Sequence, residues 1–88
     1  MKHFRADYNR IQDPINKIAE DEPVLLIRAK DICGPATAEA YADIAEAAGA
    51  SPVLVENVRK GANAMREWQQ YNTAKIPDMN AEDSIFHD

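Results

Sequence analysis

Hydrophobic and polar positions follow two different rhythms along the chain. Val24-Leu25-Leu26-Ile27 is an unbroken apolar run, preceded by Glu22-Pro23 and followed by Arg28-Ala29-Lys30-Asp31. A short apolar run bounded by proline and charges predicts a buried strand over about 24–29, with the start of a helix as the alternative. A lone strand leaves its backbone donors and acceptors unmet. It therefore needs a partner, either the N-terminal segment or another subunit.

From Gly34 the spacing changes to threes and fours. Gly34-Pro35 opens a helix over about 35–48, because proline at the first helical position forfeits no needed hydrogen bond. Ala36, Ala38, Ala40, Ala42, Ala45 and Ala47 are strong helix formers. Tyr41, Ile44 and Ala48 define the expected buried stripe, with Glu39, Asp43 and Glu46 facing water. Gly49 is the expected stop. Ser51-Pro52 opens a second helix over about 52–70, with Ser51 as N-cap. Leu54, Val58, Gly61, Met65 and Trp68 recur at helical spacing and predict its apolar face. Gly61 lowers helix propensity, which points to close approach by a neighbouring helix or a ligand. The short link between the helices predicts an antiparallel hairpin.

The flanks are less regular. Phe4–Ile11 reads as a short extended piece, Asp13-Pro14 as a turn, and Ile15 and Ile18 as isolated core anchors. After Tyr71 the periodicity stops, and Ile76-Pro77 leads into an acidic stretch with Met79, Ile85 and Phe86 as its sizeable apolar groups. The expected organisation is one compact domain over 1–72 and an acidic tail over 73–88. The expected fold class is α+β and mostly α, a short strand element packed on an antiparallel helical hairpin.

Eighty-eight residues make a small core, so assembly as a homo-oligomer is the expected way to enlarge it. The formal net charge of −5 weighs against nucleic acid as a partner. With Cys33 as the single cysteine no intrachain disulfide forms, and His3 and His87 lie too far apart in sequence to favour a zinc site. Both histidines are expected in solvent. No apolar run reaches the length of a signal or membrane segment, which predicts a cytoplasmic protein with no membrane partner.

No phosphate loop, nucleophile elbow, metalloprotease helix or cysteine pair is present, so the expectation is a non-enzymatic protein without a cofactor or metal. Cys33, beside Gly34-Pro35, reads either as a thiol activated by a helix N-terminus or, more plainly, as a small side chain at a junction. The notable constellation is basic. Arg28 and Lys30 leave the strand just before a helix start, and Arg59, Lys60 and Arg66 lie on the second helix. Guanidinium forks match phosphate oxygens, and a helix N-terminus adds donors. The candidate ligand site is Arg28, Lys30, Arg59 and Arg66, with Tyr8 or Trp68 packing a base. The plainer reading is a solvated basic face in which Arg59 pairs with Glu56, and Trp68 belongs to a core or an interface. The acidic tail reads as a solubilising terminus or as a mimic of nucleic-acid phosphates.

The words Tyr8-Asn9-Arg10-Ile11, Asp13-Pro14, Glu22 to Asp31, Ala48-Gly49-Ala50-Ser51-Pro52 and Met65-Arg66-Glu67-Trp68 together resemble small accessory proteins of tailed bacteriophages. The resemblance covers most of residues 8–68 and fades after Asn72. It implies action by binding in a host cytoplasm: inhibiting a host enzyme, blocking a defence complex or sequestering a nucleotide immune signal, in some cases at subunit boundaries of a compact oligomer. The expected function is therefore counter-defence by capture of a small anionic ligand such as a nucleotide signal. The alternatives are a protein-binding inhibitor of a host or defence protein and a phage structural or nucleic-acid-associated subunit.

Overall fold

The computed structural model describes residues 1–86, so the expectations placed on His87 and Asp88 lie outside it. The chain forms two units: residues 1–26 with the segment from Asp78 onward, and Ile27–Pro77. The sequence had suggested a different division, with one domain over 1–72 and a separate tail.

The first unit is built on short parallel pairing of β1 (Lys2–His3) with β2 (Pro23–Val24), in the register Lys2 to Pro23 and His3 to Val24. The strand partner therefore comes from the same chain. Lys2 N–H donates to Glu22 O at 2.8 Å and Phe4 N–H to Val24 O at 3.0 Å. The expected strand over 24–29 is thus cut to its first residue, and Leu25 is exposed. Phe4–Ile11 is not extended either: Ala6–Tyr8 is a turn of 3-10 helix.

Asp13-Pro14 does turn the chain, with Asp13 Oδ2 accepting from Ile18 N–H at 2.7 Å. Ile15 is exposed and anchors nothing, whereas Ile18 is half-buried. The segment from Asp78 folds back onto the N-terminal residues. Ile85 N–H donates to Phe4 O at 3.2 Å, and the Phe4 and Phe86 rings meet edge to face at 5.4 Å. Ile85 is half-buried in this segment, while Met79 and Phe86 stay largely exposed. His3, expected in solvent, is 3% exposed; its Nε2 lies 2.5 Å from Ile11 O and its Nδ1 has no hydrogen-bond partner.

The second unit is the hairpin, α1 (Gly34–Ala47) and α2 (Pro52–Tyr71), with ends close to those expected from sequence. Gly49 takes φ 91°, the left-handed conformation that ends a helix without a Cβ penalty. Ser51 caps α2 by accepting from Leu54 N–H at 3.3 Å. Gln69 of α2 holds the loop before α1, its Nε2 donating to Ala29 O at 2.9 Å and to Asp31 O at 3.0 Å. The chain beyond α2 returns to the same loop, where Ile32 N–H donates to Lys75 O at 3.0 Å.

The core of the hairpin differs from the expected one. The buried helical residues are Gly34, Pro35, Ala42 and Ala45 of α1 with Val55 and Ala62 of α2. Tyr41, Ile44 and Ala48, the stripe expected inside, are exposed. The helices meet instead along alanines, which let two backbones approach closely. They also bring the charged residues at the edge of each helix within pairing distance.

Candidate functional site

All charged residues of α1 and α2 lie on one side of the hairpin. Glu39, Asp43 and Glu46 recur at spacings of four and three, and one helical turn is about 3.6 residues, so they share a stripe. Arg59 crosses to this stripe, with Nη1 2.9 Å from Asp43 Oδ1 and 3.3 Å from Glu39 Oε2, and Nη2 3.7 Å from Glu46. Arg66 Nη1 reaches Glu39 Oε1 at 3.2 Å and Asn63 Oδ1 at 2.9 Å. The hydrogen bond that Arg59 donates to Asp43 is the main cause that holds the guanidinium above its ordinary value. Lys60, not Arg59, pairs with Glu56, at 3.2 Å.

Beside this ladder lies a cleft of about 420 Å³, lined by Glu46, Val55, Glu56, Arg59, Lys60 and Asn63. Its two cations are matched by two carboxylates. An incoming anion would have to displace these carboxylates, a cost that an unpaired basic pocket would not carry.

The opposite side of the hairpin carries no charge. Exposed there are Thr37, Tyr41 and Ile44 of α1 and its C-cap Ala48, with Leu54, Asn57, Gly61, Ala64, Trp68 and Tyr71 of α2. Tyr41 is 53% exposed, Ile44 67%, Leu54 38% and Trp68 40%, so the largest apolar side chains of the helices face outward. A Cβ built on Gly61 meets nothing within 4 Å. The close approach expected at this glycine is absent within the chain, and the position is open on the uncharged face.

The six residues of the sequence-derived ligand site have separate roles here. Arg59 and Arg66 are joined through Glu39 in the ion-pair ladder. Lys30 Nζ donates to Thr73 O at 2.6 Å and fastens the chain beyond α2. The Arg28 side chain is exposed, while its carbonyl accepts from Asp31 N–H at 3.1 Å. Trp68 belongs to the uncharged face. Tyr8 lies in the first unit, with the Arg5 guanidinium 4.8 Å from its ring centroid.

Tyr41, Ile44 and Ala48, expected inside, and Leu54, Gly61 and Trp68 of the expected apolar face of α2 are the surface residues that sequence reasoning assigned elsewhere. The signal was available: every Asp, Glu, Lys and Arg of the two helices falls on one arc, so a second, uncharged arc wide enough for a partner remains on each helix.

Cys33 is exposed, and its thiol is raised above the ordinary value by local desolvation, then by the charge and hydrogen bond of Asp31. The activated-thiol reading has the opposite sign. Among the described residues no group of three or more His, Cys, Asp or Glu could hold a metal ion, and no helix is long and apolar enough to cross a membrane.

No protein-family model, curated protein or solved structure matches the chain.

Proposed function

We propose that this protein acts by binding and not by catalysis, and that its working surface is the uncharged face of the helical hairpin, used to dock another protein surface. The observation that carries this reading is the outward placement of Tyr41, Ile44, Leu54 and Trp68 over a core of alanines. Aromatic side chains are enriched and charged residues depleted at the centre of an interface. Of the functions expected from sequence, this favours protein binding over capture of a nucleotide-like anion. Arg59 and Arg66, the cations such capture would use, already neutralise Glu39, Asp43 and Glu46. On the resemblance to small tailed-phage proteins, docking of this kind fits an accessory protein that counters a host defence.

The test is photo-crosslinking of the full chain in bacterial cells. A benzoyl-phenylalanine replaces Tyr41 in one strain and Lys60, on the charged side, in the other. Defined adducts from position 41 and few from position 60 are expected. Equal yields from the two positions would remove the basis for this reading.

A further inference from the structure

Resting on that docking reading, we infer that the occupant of the uncharged face is a second copy of this chain, so that two hairpins join into an antiparallel four-helix bundle. Three observations point to a copy and not to an unrelated partner.

The face alternates large and small side chains. It carries the projecting groups Tyr41, Ile44, Leu54 and Trp68 together with the small residues Gly61 and Ala64. A two-fold axis would set the large groups of each copy against the small residues of the other, since residue i then meets j while j meets i. Alternation of large and small side chains is what lets helical layers interdigitate.

The face is also where two copies can meet without repulsion. Each chain carries a formal charge of −5, and like charges brought together oppose association. The ten exposed positions of the two stripes contain no Asp, Glu, Lys or Arg, and the cross-helix pairs of Glu39, Asp43, Glu46, Arg59 and Arg66 lie on the other side.

The area is of the right order. Tyr41, Ile44, Leu54 and Trp68 together expose on the order of 400 Å², about half of the ~800 Å² that each partner contributes to a stable interface. Val53 and Tyr71, both largely exposed at the margin, extend the patch. The missing core has the same explanation: among the described residues no large side chain is fully buried, and a subunit completes its core on assembly.

Sedimentation equilibrium of the full chain, with hydroxyl-radical footprinting of Tyr41 and Trp68, tests the inference. A dimer is expected, with both aromatic residues protected. Ile44→Glu and Gly61→Glu each place a charge in the interface, and each should raise the dissociation constant at least about tenfold. Helicity should hold in both variants, because position 44 is exposed and position 61 has open space. Lys60→Glu, on the charged side, should leave the dimer intact. A dimer indifferent to both face substitutions uses another surface and overturns the inference. A monomer with Tyr41 and Trp68 open to oxidation also overturns it, while leaving the docking reading in place for a host or defence protein. A monomer with both protected defeats the docking reading itself.

Discussion

Arg59 of α2 lies 2.9 Å from Asp43 of α1, with Glu39 and Glu46 on the same carboxylate stripe also within reach of its guanidinium. One cation thus ties together two turns of the opposite helix. Arg59→Ala is expected to lower the thermal midpoint, and added salt should shrink the difference from the parent, because exposed pairs are screened. Pairing raises the Arg59 value, so its contribution is complete below the already high ordinary value and is lost only as pH rises through the raised one. Titrating the melt across neutral pH should therefore show no loss that originates at this guanidinium. A salt-independent difference between parent and variant would count against the ladder.

Two glycines should respond in opposite ways to alanine. A Cβ at Gly34 would lie 2.8 Å from Arg28 O and 3.3 Å from Met65 Sδ, and the first of these contacts is with backbone. Gly34→Ala should cost about 1–3 kcal/mol in a urea unfolding measurement, the range for overpacking a tight site. Gly61 has open space, so Gly61→Ala should raise the helicity of a dissociated chain, in line with the ~1 kcal/mol propensity gap.

Gln69 satisfies two loop carbonyls with one amide. Gln69→Leu keeps the bulk and leaves Ala29 O and Asp31 O without that donor. A loss of about 1–3 kcal/mol is expected, together with faster amide exchange at Ile32 and Lys75, whose backbones pair next to this loop. Unchanged exchange there would show that the loop is held by other contacts.

Cys33 should be slow to alkylate. Desolvation and Asp31 raise its thiol, so the thiolate appears only at higher pH than in an unstructured peptide. The midpoint of an iodoacetamide rate–pH profile should lie above that of the urea-unfolded chain. Asp31→Asn, which keeps an acceptor for Cys33 N–H and removes the charge, should move it downward. A midpoint below that of the unfolded chain would restore the activated-thiol reading.

The hairpin was legible because its punctuation is local. Pro35, Gly49, Ser51 and Pro52 set the helix ends through backbone geometry and capping that need no tertiary partner. The choice of buried face was not legible. Tyr41 and Ile44 are the obvious anchors on hydrophobicity alone, but burial is decided by what the other helix offers, and α2 offers Val55, Ala62 and the Arg59–Arg66 edge. The side that carries the cross-helix ion pairs adjoins the alanine seam. The fate of Val24–Ala29 was hidden for a similar reason, since strand length depends on how many partner residues are available and β1 provides two. Arg59 and Arg66 were legible as a pair, whereas their engagement with three carboxylates depended on the crossing of the two helices.

The alanine seam of Ala42, Ala45 and Ala62 separates what holds the hairpin together from what it shows to others. Tyr41 and Ile44 are exposed and Gly61 has open space beside it, so substitutions at these three positions should cost little in folding, whereas Leu54 and Trp68 are more than half covered within the chain. On the docking reading, such a scaffold can exchange one counterpart for another through a few surface substitutions, whereas a single enlarged alanine in the seam would pry the helices apart.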